Sequence, residues 1–91
     1  MTHYVSVLVP VATGGWRALL PDLPGYQADE RSLDLAILRT SGFLAQVTQL
    51  GSEIPPPRPL AFIKLDTEWA LSRDVDWSRS VVTMIQVRDD V

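Results

Sequence analysis

From Tyr4 to Val11 the chain alternates Val5, Val7, Val9 and Val11 with Tyr4, Ser6 and Leu8. Both sets are largely apolar. The pattern predicts an inner β-strand, buried on both faces, whose regular pairing ends near Pro10 because proline has no N–H to donate. Thr13-Gly14-Gly15 marks a turn. A second strand, Trp16 to Leu20, follows with Trp16, Ala18 and Leu20 on one face. Pro21-Asp22-Leu23-Pro24-Gly25 then punctuates the chain, and Pro24-Gly25 suits a turn that needs φ > 0 at its third residue. A short polar segment, Tyr26 to Arg31, reads as an edge strand.

The period then changes from two to 3.6. Ser32 is a good N-cap, and Leu33, Ala36, Ile37, Phe43, Leu44, Val47 and Leu50 form one apolar helical stripe with Gly51 as the C′ residue. Gly42 costs about 1 kcal/mol relative to alanine inside a helix, so its presence predicts close packing there. The helix cannot continue into Pro55-Pro56-Pro57. Residues 60 to 73 can carry a short second helix, with Leu60, Ile63, Ala70 and Leu71 facing inward and Asp66 capping its later half. Ser78 to Val87 is a last strand, followed by the tail Asp89-Asp90-Val91.

The fold class expected is α+β, one domain over residues 1–91: a three-stranded antiparallel meander, a helix, and a returning strand, β-β-β-α-β. If the last strand lies beside the first and parallel to it, the crossover is right-handed. A single helix layer leaves the other sheet face partly bare. That face, or a sheet edge, is where a second subunit is expected, as a dimer or tetramer.

Composition narrows the chemistry. The formal net charge is −3, and the eight basic residues are scattered. Direct nucleic-acid binding by this domain is therefore not expected, and no separate DNA-binding domain is read in the sequence. There is no cysteine, so disulfides, thiolate catalysis and zinc–cysteine sites are excluded. No apolar window is long enough to span a membrane and no signal peptide is evident, which makes the cytoplasm the expected location. His3 is the lone histidine. The acids Asp22 and Asp34 read as a turn and a first-helical-turn residue, and Asp74-x-Asp76 lacks a third ligand. No catalytic, metal or cofactor site is assigned. Trp69 and Trp77 are the candidates for partner contact, because tryptophan is enriched at interfaces.

One combination is more specific than its parts. Gly15-Trp16-Arg17-Ala18-Leu19-Leu20-Pro21-Asp22-Leu23-Pro24-Gly25, a polar strand, Ser32-x-x-x-Ala36 opening a helix, and Gly51-x-x-Ile54-Pro55-x-Pro57 together resemble the HicB-like antitoxins. The likeness is good from Tyr4 to Pro57 and looser from Ser80 to Val87. Tyr26 stands where many members have cysteine, and Asp34-Leu35 where many have two acids. The resemblance implies a partial ribonuclease-H-like fold without nuclease acids. It implies a non-enzymatic antitoxin that binds and blocks HicA, a small basic mRNA-cleaving toxin of bacterial toxin–antitoxin systems. The alternative is a stand-alone homo-oligomeric structural or interaction module. In either case Trp16, Pro21, Asp22, Pro24 and Gly25 are read as structural residues that set the second strand and its turn.

Overall fold

The computed structural model describes residues 2–51 and 53–87; the tail read at 89–91 lies outside them. Four strands form one sheet, β1 (Thr2–Pro10), β2 (Trp16–Leu19), β3 (Gln27–Glu30) and β4 (Val81–Val87), in the order β3-β2-β1-β4 with every neighbouring pair antiparallel. Three helices interrupt them: α1 (Leu33–Gln49), α2 (Leu60–Leu65) and α3 (Thr67–Ser72). No helix among the described residues is long and apolar enough to cross a membrane.

The central position of β1 accounts for its double-sided apolar pattern. Tyr4 and Leu8 join Leu20, Leu44, Ile85 and Ala36 on the α1 side. Val5, Val7 and Val9 join Leu19, Ile63 and Trp69 on the opposite side. The polar Ser6 is fully buried between its neighbours, and its hydroxyl donates to the Leu19 carbonyl at 3.1 Å, so no buried donor is left unmade.

Helix α1 begins and ends where local chemistry places it. The Ser32 hydroxyl accepts from the Leu35 amide at 3.2 Å, and Gly51 follows the Leu50 C-cap at φ 70°. Ala36, Thr40 and Leu44 form its buried centre. Thr40 interrupts the apolar stripe, which is why periodicity passes over it. Its hydroxyl bonds the Ala36 carbonyl at 2.9 Å and the Tyr26 hydroxyl at 3.0 Å. Two expectations about α1 fail. Leu50 is exposed at the C-cap of the helix, beyond its buried centre. Gly42 is exposed too, with open space where a Cβ would stand, so no packing within the chain requires it.

The expected bare sheet face is covered. Helices α2 and α3 lie across it, with Ile63 fully buried, Trp69 8% exposed, and Leu60, Ala70, Val75 and Trp77 packed around them. Asp66 caps α3 as expected, accepting from the Trp69 amide at 3.1 Å. Leu71, read as inward, is 79% exposed instead.

This second layer also decides the direction of β4. Strand β4 does lie beside β1, but antiparallel. Helix α1 descends the sheet and leaves the chain near Thr2 and Val87, which share a surface with Gly51, Pro56 and Pro57. A direct return would have given a parallel strand. The α2–α3 segment instead climbs the other face to Arg73 and Asp74, beside Val9 to Thr13. The chain therefore enters β4 from the opposite end.

The Gly14-Gly15 turn does more than reverse the chain. Gly15 has φ 127°, and a Cβ built on it would meet the Glu30 carbonyl oxygen at 2.7 Å. The β1–β2 turn is thereby pressed against the end of β3. Gly15→Ala is expected to lose about 1–3 kcal/mol in urea unfolding, from backbone strain and that collision, whereas Gly25→Ala, in open space, should lose less. Equal losses would contradict this account.

Candidate functional site

The segment that stands out in the sequence, Pro21 to Gly25, is held from 36 residues away. Pro21 and Asp22 are buried, and two backbone bonds, Leu23 N to the Leu20 carbonyl and Tyr26 N to the Leu23 carbonyl, both at 2.9 Å, fold the segment into successive β-turns. Gly25 is not in the left-handed region, so the expectation of φ > 0 there does not hold. Pro24 and Gly25 are exposed.

Asp22 meets the proline-rich segment. Its carboxylate accepts from the Arg58 Nε at 2.6 Å and from the Arg58 backbone amide at 3.0 Å. The same guanidinium donates to the Pro21 carbonyl at 3.1 Å and to Asp66 Oδ2 at 3.4 Å. Since Asp66 caps α3, one arginine ties together the turn after β2, the exit from α1 and the junction of α2 with α3. The Tyr4 hydroxyl adds a bond to the Pro55 carbonyl at 2.5 Å, and Arg73 donates to the Pro24 carbonyl. Arg58 carries no periodic or motif signal; only an arginine set among prolines, able to bridge several acceptors at once, hints at it.

A shallow groove of about 450 Å³ borders this frame, lined by Leu23, Pro24, Gly25, Tyr26, Phe43 and Pro55. Tyr26 and Phe43 pack with ring centroids 4.4 Å apart. Asp22 and Gln27 also line the groove, and the Asp22 carboxylate is already engaged by Arg58.

The other residues singled out by the sequence fall in separate places. Trp16 is half-buried against the cluster of Leu8, Ala18 and Ala36. Trp69 belongs to the core, with Trp77 half-buried beside it at a centroid distance of 6.4 Å and Lys64 Nζ 5.5 Å from the Trp77 ring. Trp69 therefore acts through packing in the single chain, and Trp77 keeps one edge toward solvent. His3 is exposed on β1.

The acids are dispersed. Glu30 pairs with Arg39 at 2.5 Å, and Asp34 sits in the first turn of α1. The hydroxyl and the amide of Ser78 hold the Asp76 carboxyl below its ordinary pKa. Among the described residues no three His, Cys, Asp or Glu side chains are grouped to hold a metal ion.

Asp29 is held by the Arg17 fork, Nε at 2.8 Å and Nη2 at 2.9 Å. This hydrogen bonding to Arg17 lowers the Asp29 pKa. Because the folded value is the lower one, the pair's contribution is present above the unfolded carboxylate pKa of about 3.9 and is lost as pH falls through the folded value. Both side chains are substantially exposed, so the contribution is at most about 1 kcal/mol. In an NMR titration the Asp29 pKa is expected to rise toward the ordinary value in Arg17→Gln; an unchanged titration would contradict the assignment.

No protein-family model and no curated protein matches the sequence. Among solved structures, a chain of a toxin–antitoxin complex from Streptococcus pneumoniae superposes with a TM-score of 0.70 at 17% identity, covering 96% of this chain and 69% of that one. The antitoxin HicB of Burkholderia pseudomallei superposes with a TM-score of 0.62 at 14% identity, covering 98% of this chain and 65% of that one. The chain thus has a HicB-like antitoxin fold and spans about two thirds of the length of those chains.

Proposed function

We propose that the chain is an antitoxin-like protein that works by binding: it seats against a small, basic, mRNA-cleaving toxin of the HicA type and covers its active site, in the bacterial cytoplasm, without catalysing a reaction of its own. The observation that carries this reading is the fold shared with the HicB antitoxin over almost the whole chain. The likeness to a chain of a toxin–antitoxin complex supports a toxin as the partner. The net charge of −3 suits a basic partner, and Asp34, Glu53, Glu68, Asp74 and Asp76 are all exposed. No direct nucleic-acid contact is assigned to this domain.

The test is co-expression with the product of a neighbouring small basic reading frame that arrests growth. Growth should be restored and the two proteins should co-purify. Continued arrest, with no complex recovered, would overturn the proposal. A second reading, a self-assembling module, is favoured by one observation: β4 is a long, uncharged outer strand.

A further inference from the structure

The two outer strands of the sheet are unlike. Strand β3 has four residues, Gln27 to Glu30, and its charges are engaged by Arg17 and Arg39. Shortness and charge are devices that keep a sheet edge from pairing with another chain. Strand β4 has neither. It runs for seven residues, Val81-Val82-Thr83-Met84-Ile85-Gln86-Val87, with no charge and no proline. Among the described residues no strand lies outside it.

The register identifies the backbone groups on that edge. The Val11 amide donates to the Gly15 carbonyl at 3.1 Å, continuing the β1–β2 ladder. Odd-numbered residues of β1 therefore turn their backbone groups to β2, and even-numbered ones turn theirs to β4. Leu8 stands opposite Val81, Ser6 opposite Thr83 and Tyr4 opposite Ile85. The odd-numbered residues of β4 are thus occupied by β1, and Val82 and Met84 direct their N–H and C=O groups outward. The Met84 side chain is 52% exposed.

We propose that this edge is a homodimer interface, in which a second copy adds its β4 antiparallel about a two-fold axis at Thr83. Val82 then exchanges both backbone hydrogen bonds with Met84 of the partner subunit, and Met84 with Val82 of the partner subunit. The strand is self-complementary in this register. On the α1 side Val81 meets Ile85 and Thr83 meets its own copy, β-branched against β-branched. On the other side valine meets methionine. No charge in the strand opposes its own copy. The product is a continuous eight-stranded sheet with an isologous interface. The interface does not depend on a toxin, and its tests read mass and cross-linking of the protein alone, so it can fail while the antitoxin reading stands.

Because the chain has no cysteine, Thr83→Cys gives a cross-link without background. Directly opposed residues of an antiparallel pair have Cβ atoms about 4.5–5.5 Å apart, close enough for a disulfide after small adjustment. Light scattering across the micromolar range should show a dimer, and Thr83→Cys should become covalently dimeric on mild oxidation while Ala45→Cys, exposed on α1, does not. Met84→Pro removes an outward donor from each copy and leaves the β1 ladder intact, so dimerisation should weaken about tenfold or more. Met84→Lys sets two like charges near each other across the axis and should weaken it as well, without a proline in the strand. A monomer throughout the concentration range would overturn the proposal. A dimer unchanged by Met84→Lys, or one that Thr83→Cys fails to link, would overturn it too.

Discussion

Replacing Trp69 by alanine is expected to destabilise the protein by about 3–5 kcal/mol, the range for deleting a large buried aromatic side chain. For a chain of 91 residues the whole stability is on the order of 5–14 kcal/mol. The variant should therefore unfold at much lower urea or fail to fold at 37 °C. The reason is geometric. Trp69 is the largest buried side chain of the layer that closes the β1 face carrying Val5, Val7 and Val9, and α3 has only six residues with which to hold that layer. Leu71→Ala, two residues further along the same helix but exposed, should change stability by less than about 0.5 kcal/mol. If the two substitutions cost the same, the α2–α3 layer does not close the core as described.

The second large effect is expected at the Asp22–Arg58 pair. Breaking a buried pair by removing one partner costs about 3–5 kcal/mol. Here the Asp22 side chain is 3% exposed and that of Arg58 is 37% exposed, so the loss should be smaller, about 2–4 kcal/mol for Arg58→Ala. The exposure difference sets an order. Arg58→Ala strands a buried carboxylate with only a backbone amide as partner. Asp22→Asn leaves a guanidinium that can turn to water and still reach Asp66, so it should cost less. A double-mutant cycle should give a coupling of at least about 1 kcal/mol. Strict additivity, or a larger loss at Asp22→Asn than at Arg58→Ala, would mean the arginine is not the tie between the turn and the proline segment.

These two sites differ in how far the sequence foreshadows them. Trp69 was visible as an unusual residue, but its spacing within a six-residue helix is too short to establish a face. An interfacial tryptophan and a core tryptophan look alike in sequence, since both are large, apolar and set among polar neighbours. Arg58 was hidden for a different reason. Its partner Asp22 is separated from it by the whole of β3 and α1, and no local rule links an acid in one proline turn to an arginine in another. The block from Gly15 to Gly25 was legible as a fold-setting segment. What the structure adds is how it sets the fold: Asp22 is the buried anchor, and Gly15 marks the close approach of the first turn to β3.

By itself the sequence determined what depends on neighbours in the chain. Alternation defined β1 as a strand apolar on both sides, Ser32 and Gly51 bounded α1, and Asp66 capped α3, because capping and period act within a few residues. It also carried the succession of elements that matches the HicB-like fold. Tertiary structure alone decided which layer covers the valine face, why β4 runs antiparallel to β1, and which partner Asp22 finds. Each of these depends on where a proline-rich connection of low periodicity carries the chain. That path is selected by burial of apolar area and by long-range hydrogen bonds, whose partners no window along the sequence contains.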